Sequence, residues 1–148
     1  MNVPDSLKVP AGEELLAKVS ATGYQIYIGQ LGPEGTPTWT LKMPLAELKD
    51  EKSLVIGSHY GGPTWKLIDG SEVTGKLVAK ADAPDTTAIP WLLVAVATNN
   101  GLGKLARATS IHRVNTTGGL APASCTQEDV GKEAKSSYTA DYYFYGSK

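Results

Sequence analysis

His59 is the side chain in this sequence whose type and setting most suggest chemistry. It ends an apolar, strand-like run and precedes Gly61-Gly62-Pro63, a break of the kind that places functional groups on loops. An imidazole with a carboxylate partner acts as a general acid or base, and Asp69 and Asp141 are the candidate partners. No nucleophile can be named beside His59. A histidine hydrogen-bonded to the backbone at a strand end is therefore the commoner alternative.

The aromatic side chains suggest binding rather than catalysis. The chain has seven tyrosines and three tryptophans against one phenylalanine. Such rings line sites for sugars or small apolar molecules because they join an apolar face to a hydrogen-bonding group, although they more often fill β-rich cores. In the binding site predicted from these residues, the aromatic rings stack on the ligand. A histidine and an arginine supply hydrogen bonds or charge. Its residues are His59, Tyr60, Trp65, Trp91 and Arg113.

Other chemistries have less support in the residue types. A two-histidine metal site needs both His59 and His112 with a carboxylate. The two could meet across strands, but nothing in their spacing indicates that they do, so no metal is predicted. No Gly-rich segment of the kind that binds nicotinamide cofactors occurs, and no cofactor is predicted. Lysine and arginine are scattered and the net charge is −1, which argues against a nucleic-acid partner. The longest apolar run, 89–97, is far shorter than the ~20 residues of a membrane span.

The elements that must position these residues read as strands. The 148 residues fit one domain, 1–148, with a core of about 9–145. Glycines and prolines separate short apolar runs, which predicts an all-β fold of roughly nine strands, either an antiparallel β-sandwich or a partly closed β-barrel. Turns are expected at Thr22-Gly23 and Asp69-Gly70. One or two short helical turns are expected, at 44–49 and after Thr126. Segment 89–98 is expected to be a strand buried on both faces.

Several blocks of the sequence, taken together and in order, resemble the DUF3455 family. The blocks are TGYQIY (22–27), GSHYGGPTW (57–65), DGS (69–71), IPWLL (89–93), RVNT (113–116), GGLAP (118–122) and YTADYYFY (138–145). The resemblance runs from about Val9 to Tyr145. It implies a small protein made with a signal peptide, and so an extracellular or periplasmic location, although residues 1–10 show no such signal. It supplies no activity.

One departure from the family pattern concerns cysteine. The family often has a cysteine just after the Gln-Ile-Tyr block, where this chain has Gly29, and its second cysteine corresponds to Cys125. If the two pair in the family, this chain has lost a cross-link typically worth about 2–5 kcal/mol. The remaining thiol, or exposed strand edges, would allow copies of the chain to associate.

Three hypotheses for function follow. The first is an exported β-domain that binds a small molecule or a carbohydrate. The second is an enzyme that uses His59 as general acid or base, with Asp69 or Asp141 to orient it. The third is a structural or surface protein without a small ligand. Whether the chain is an enzyme stays open at this point.

Overall fold

The chain forms one antiparallel sheet that closes in a ring. The computed structural model describes residues 2–147. The strands are β1 (Glu13–Leu31), β2 (Pro37–Lys49), β3 (Val55–Tyr60), β4 (Thr64–Leu67), β5 (Glu72–Ala81), β6 (Trp91–Asn100), β7 (Ala108–Gly118) and β8 (Glu133–Ser147). Each strand pairs with the next, and β8 returns to β1. The only helical elements among these residues are two 3₁₀ turns, Asp5–Leu7 and Gln127–Asp129. The all-β, antiparallel prediction is confirmed. The sheet has eight strands instead of about nine, and it closes in a ring, whereas the sequence left a sandwich and a partly closed barrel as alternatives.

The strand count differs because β1 is continuous. Thr22-Gly23 lies in the middle of this 19-residue strand, so the turn predicted there is wrong. Gly23 serves a close approach instead: a Cβ atom at this position would lie 2.2 Å from the carbonyl oxygen of Leu45 on β2. The glycine marks a tight contact between neighbouring strands, which a sequence does not distinguish from a turn.

The helical turn predicted at 44–49 is also wrong, because this segment forms the second half of β2. Its burial alternates with a period of two: Ala46 and Leu48 are buried, whereas Leu45 and Glu47 are exposed. The spacing of Leu45 and Leu48 suggested a helix, but Leu45 lies on the outer face of the strand.

Two of the remaining local predictions are confirmed and one is wrong. The Asp69-Gly70 turn is confirmed between β4 and β5, with Gly70 at a positive φ of 94°. The turn after Thr126 is confirmed, with a capping box between Thr126 and Asp129. The strand at 89–98 begins only at Trp91, and its second half is exposed, so the expectation of burial on both faces is wrong.

The interior of the ring holds one hydrophobic core. On β7 and β8, Ile111 lies opposite Phe144, and Arg113 lies opposite Tyr142, so all four side chains share the inner face. His112, between them, points outward. There its Nδ1 is 3.1 Å from the Tyr145 hydroxyl. The core cluster comprises Val19, Ala21, Ala46, Leu48, Trp65, Leu67, Val73, Ile89, Val94, Leu105, Ala108, Ile111, Tyr138, Ala140, Tyr142 and Phe144.

The N-terminal segment covers part of the outer face of the ring. Leu7 in the first 3₁₀ turn is fully buried, and its carbonyl accepts a hydrogen bond from Nε2 of His112. The segment before β1 therefore belongs to the folded domain.

The segment after Cys125 is held against β1 by backbone contacts. Gly29 donates a hydrogen bond to the carbonyl of Lys132, and Gly131 donates one to the carbonyl of Gly29, both at 2.9 Å. A Cβ atom at Gly29 would lie 2.1 Å from the carbonyl oxygen of Asp129, so this approach requires a residue without a side chain. Cys125 carries a free thiol.

Candidate functional site

A cavity of about 170 Å³ lies among side chains that come from all eight strands. Its lining is Gln25, Leu41, Pro44, His59, Pro63, Trp65, Leu77, Leu92, Val94, Arg113 and Tyr142. Three of the five predicted binding residues, His59, Trp65 and Arg113, meet here. Leu41 and Leu77 are 48% and 53% exposed, whereas His59 and Trp65 are almost fully buried. The cavity thus has an apolar rim open to solvent and a polar, aromatic floor.

The β3–β4 hairpin positions His59 and Trp65. The two residues are directly opposite in the antiparallel register, and their rings stack at 4.3 Å between centroids and 17° between planes. Nδ1 of His59 donates a hydrogen bond to the carbonyl of Thr64 at 2.8 Å. In the neutral imidazole this leaves Nε2 as an acceptor without a proton.

Burial keeps the imidazole of His59 neutral. It lowers the pKa of His59 from 6.5 to about 4, the hydrogen bond to Thr64 opposes this shift, and the positive charge of Arg113 adds to it. His59 therefore contributes an uncharged ring at neutral pH, which can stack and accept a hydrogen bond.

Arg113 brings a charge into this apolar setting. It lies on β7 between Leu92 of β6 and Tyr142 of β8. Its Nε and Nη2 groups both donate to the carbonyl of Pro90, at 3.1 and 2.8 Å. Burial raises the pKa of Tyr142, and the charge of Arg113 opposes that shift. The hydroxyl of Tyr142 is also 3.2 Å from that of Tyr138.

Gln25 is a lining residue that the sequence did not indicate. It is 3% exposed, and its Oε1 atom has no hydrogen-bond partner. Burial in this part of β1 does not alternate: Tyr24 is 41% exposed, whereas the next three residues, Gln25, Ile26 and Tyr27, are all buried. Tyr142 also lines the cavity and was not among the predicted binding residues.

Two predicted binding residues lie outside the cavity lining. Tyr60 is half-buried and adjoins His59, so its side chain points to the opposite face of β3. Trp91 opens β6, and its neighbour Leu92 lines the cavity instead. The indole Nε1 of Trp91 is buried without a partner, as is that of Trp65.

The two carboxylates suggested as partners of His59 are held elsewhere. Asp69 lies in the β4–β5 turn, where it accepts hydrogen bonds from the backbone and hydroxyl of Ser71, at 2.9 and 2.7 Å, and from the backbone of Lys104 at 2.8 Å. These bonds lower its pKa. Asp141 lies on the outer face of β8, where it accepts a hydrogen bond from Asn115 at 2.9 Å. Neither carboxylate lines the cavity with His59.

The described residues, 2–147, contain no group of three histidine, cysteine or acidic side chains placed to hold a metal ion. None of the helical segments in that same range is long and apolar enough to cross a membrane.

Comparison with known proteins identifies a family. Residues 51–146 match the family model described as "Protein of unknown function (DUF3455)". The matched range includes His59, Trp65, Arg113 and Tyr142, but it begins after Gln25. No curated protein and no solved structure matches the chain.

Proposed function

The chain belongs to the DUF3455 family of proteins of unknown function, and from the geometry of its interior we propose that it binds a small, mainly apolar molecule inside the ring of strands. The observation that carries this proposal is the cavity of about 170 Å³, which combines apolar walls with buried polar groups. Ligand sites typically combine these two features, because apolar walls supply affinity and a few polar groups fix orientation.

The unpaired amide of Gln25 supports the proposal. A buried polar atom without a partner destabilises a fold by about 1–3 kcal/mol. Oε1 of Gln25 is such an atom, and its side chain lines the cavity. A ligand that donates a hydrogen bond to Oε1 of Gln25 would remove this energetic cost, so the unpaired atom is consistent with a binding site.

The size and lining of the cavity favour an apolar ligand over a carbohydrate. An apolar cavity of ~150 Å³ accommodates a benzene-sized molecule. Most of the lining side chains here are aliphatic or aromatic, and five of them are Leu41, Leu77, Leu92, Val94 and Trp65. A sugar ring would leave most of its hydroxyl groups without partners in such a site.

The enzyme alternative has less support. It requires a carboxylate to orient His59, and the carboxylates of Asp69 and Asp141 are engaged outside the cavity. Export to the periplasm or cell exterior, which the family resemblance implies, is retained as part of the proposal.

The test uses the tryptophan indoles as reporters. Trp65 lines the cavity, whereas the indole of Trp39 donates to the carbonyl of Ser124 on the surface at 2.8 Å. Benzyl alcohol, hexanoate, benzoate and glucose would be titrated to millimolar concentration while ¹H–¹⁵N indole resonances are recorded. Variants with phenylalanine at each tryptophan assign the three signals.

We expect the small apolar probes to shift the Trp65 resonance, with saturation, and to leave that of Trp39 in place. Glucose should shift neither. If no apolar probe moves the Trp65 signal, or if Trp39 moves equally, the proposal is refuted.

A further inference from the structure

Arg113 is a cation in the interior of the ring, and its guanidinium group offers five hydrogen-bond donors and no acceptor. Its side chain is 9% exposed. It lies on the inner face of β7 and lines the cavity beside Tyr142.

No acidic group in the described chain neutralises this charge. The four ion pairs among residues 2–147 all lie at the surface, and none includes Arg113. Its guanidinium donates two hydrogen bonds to the carbonyl of Pro90, and its other hydrogen-bonding neighbour, the Tyr142 hydroxyl, is also uncharged. A buried charge without a counter-charge is strongly destabilising, and such groups are normally paired.

The surroundings of Arg113 add no negative charge of their own. The cavity lining contains no aspartate or glutamate. Burial keeps Tyr142 in its neutral, protonated form and His59 in its uncharged form. The positive charge of Arg113 also lowers the pKa of Tyr27 and of Tyr138, against the larger effect of burial. The cavity floor therefore carries the positive charge of Arg113 and no negatively charged side chain.

We propose that the ligand of this cavity is a small organic carboxylate, whose charged end meets Arg113 and whose apolar body lies against Leu77, Leu92 and Val94. This inference rests on the proposed binding function and specifies the chemical class of the ligand. A carboxylate supplies the missing counter-charge, and guanidinium–carboxylate hydrogen bonds are among the strongest that proteins form.

The volume sets the size of the apolar body. At about 170 Å³ the cavity is close to the size that takes a benzene ring and well below that of drug-sized sites. The carboxylate should therefore carry a body of one ring or a short chain, as in benzoate or hexanoate. The exposed rim at Leu41 and Leu77 allows such a molecule to enter.

The test compares benzoate with benzamide, which has nearly the same shape and no charge. Binding to the wild-type chain and to Arg113→Met would be followed by calorimetry and by the Trp65 indole resonance. Methionine keeps an unbranched apolar side chain and removes the charge. Arg113→Lys, which keeps the charge but not the planar pair of donors, is the second variant.

We expect benzoate to bind the wild-type chain at least about ten-fold more tightly than benzamide does, the ratio that a charged hydrogen bond supplies. Arg113→Met should remove this preference, and Arg113→Lys should keep part of it. If either variant fails to fold, the comparison of benzoate with benzamide on the wild-type chain still tests the carboxylate assignment.

Equal binding of benzoate and benzamide to the wild-type chain would overturn the carboxylate assignment and leave the proposed binding function intact. Retention of the benzoate preference in a folded Arg113→Met variant would overturn it as well. If benzoate, benzamide and the probes of the preceding test all fail to move the Trp65 resonance, both proposals are refuted together.

Discussion

Protonation of His59 should destabilise the folded chain as the pH falls. The folded-state pKa of His59 is about 4, below its unfolded value of 6.5. The unfolded chain therefore takes up the proton first, and stability that is fully present above about pH 6.5 is lost as the pH falls toward about 4. Since one pKa unit corresponds to about 1.4 kcal/mol, the full loss from this residue is roughly 3 kcal/mol, and about 2 kcal/mol of it occurs by pH 5.

The assay is urea unfolding at about pH 7.5 and about pH 5, followed by tryptophan fluorescence. His59→Asn is the matched control, because an asparagine amide can still donate to the Thr64 carbonyl but does not titrate. His112, whose pKa burial also lowers, contributes to both proteins and cancels in the comparison. Wild type should lose about 2 kcal/mol more than His59→Asn between the two pH values.

Equal losses in the two proteins would refute the reasoning. Should His59→Asn not fold, a histidine NMR titration of the wild-type chain gives the same answer, since the ring of His59 should stay neutral well below pH 6. A midpoint near 6.5 would show that the ring is not desolvated as the structure implies.

Two further predictions concern stability. Leu7→Ala should lower the free energy of unfolding by about 2–5 kcal/mol, because Leu7 is fully buried where the N-terminal segment packs on the outer face of the ring. Leu102→Ala, at an 86% exposed site, should change the free energy of unfolding by less than about 0.5 kcal/mol. Comparable urea midpoints for the two variants would show that the N-terminal segment is not part of the fold. Gly29→Ala should cost about 1–3 kcal/mol, since its Cβ would lie 2.1 Å from the Asp129 carbonyl oxygen. Gly61→Ala should cost less, because the nearest atom to its Cβ, the Cβ of Met43, would be 3.3 Å away rather than 2.1 Å. The reverse order of costs would contradict the packing described.

Much of the fold could be predicted from local patterns, and the errors have a common physical origin. Turn chemistry at Asp69-Gly70 and capping at Thr126 are determined by neighbouring residues, so the sequence indicates them correctly. Gly23 looked like a turn because the approach of β2 that requires glycine there comes from a residue 22 positions later, Leu45. A sequence read along one strand contains no information about its neighbour.

In the candidate site, too, some residues could be predicted from the sequence and others could not. His59, Trp65 and Arg113 could be suggested from residue type, and the structure places them around one cavity. Gln25 could not be suggested in this way, because a polar residue between apolar ones in a strand normally faces solvent. In the closed ring, the side chain of Gln25 lies in the interior. That no acidic side chain among residues 2–147 pairs with Arg113 is likewise a property of the assembled sheet, because strand pairing places Leu92 and Tyr142 beside it.

The contact of Gly29 with the segment after Cys125 bears on how this protein matures. The segment is attached through main-chain hydrogen bonds to β1 rather than through a sulfur bridge. Thiol oxidation is thus not a step in its folding, and reductants should leave the native state intact. Because hydrogen bonds open locally and a covalent bridge does not, amide hydrogen exchange near Gly131 should report local detachment of this segment. Expression in a reducing cytosol should therefore yield the same folded domain as an oxidising compartment.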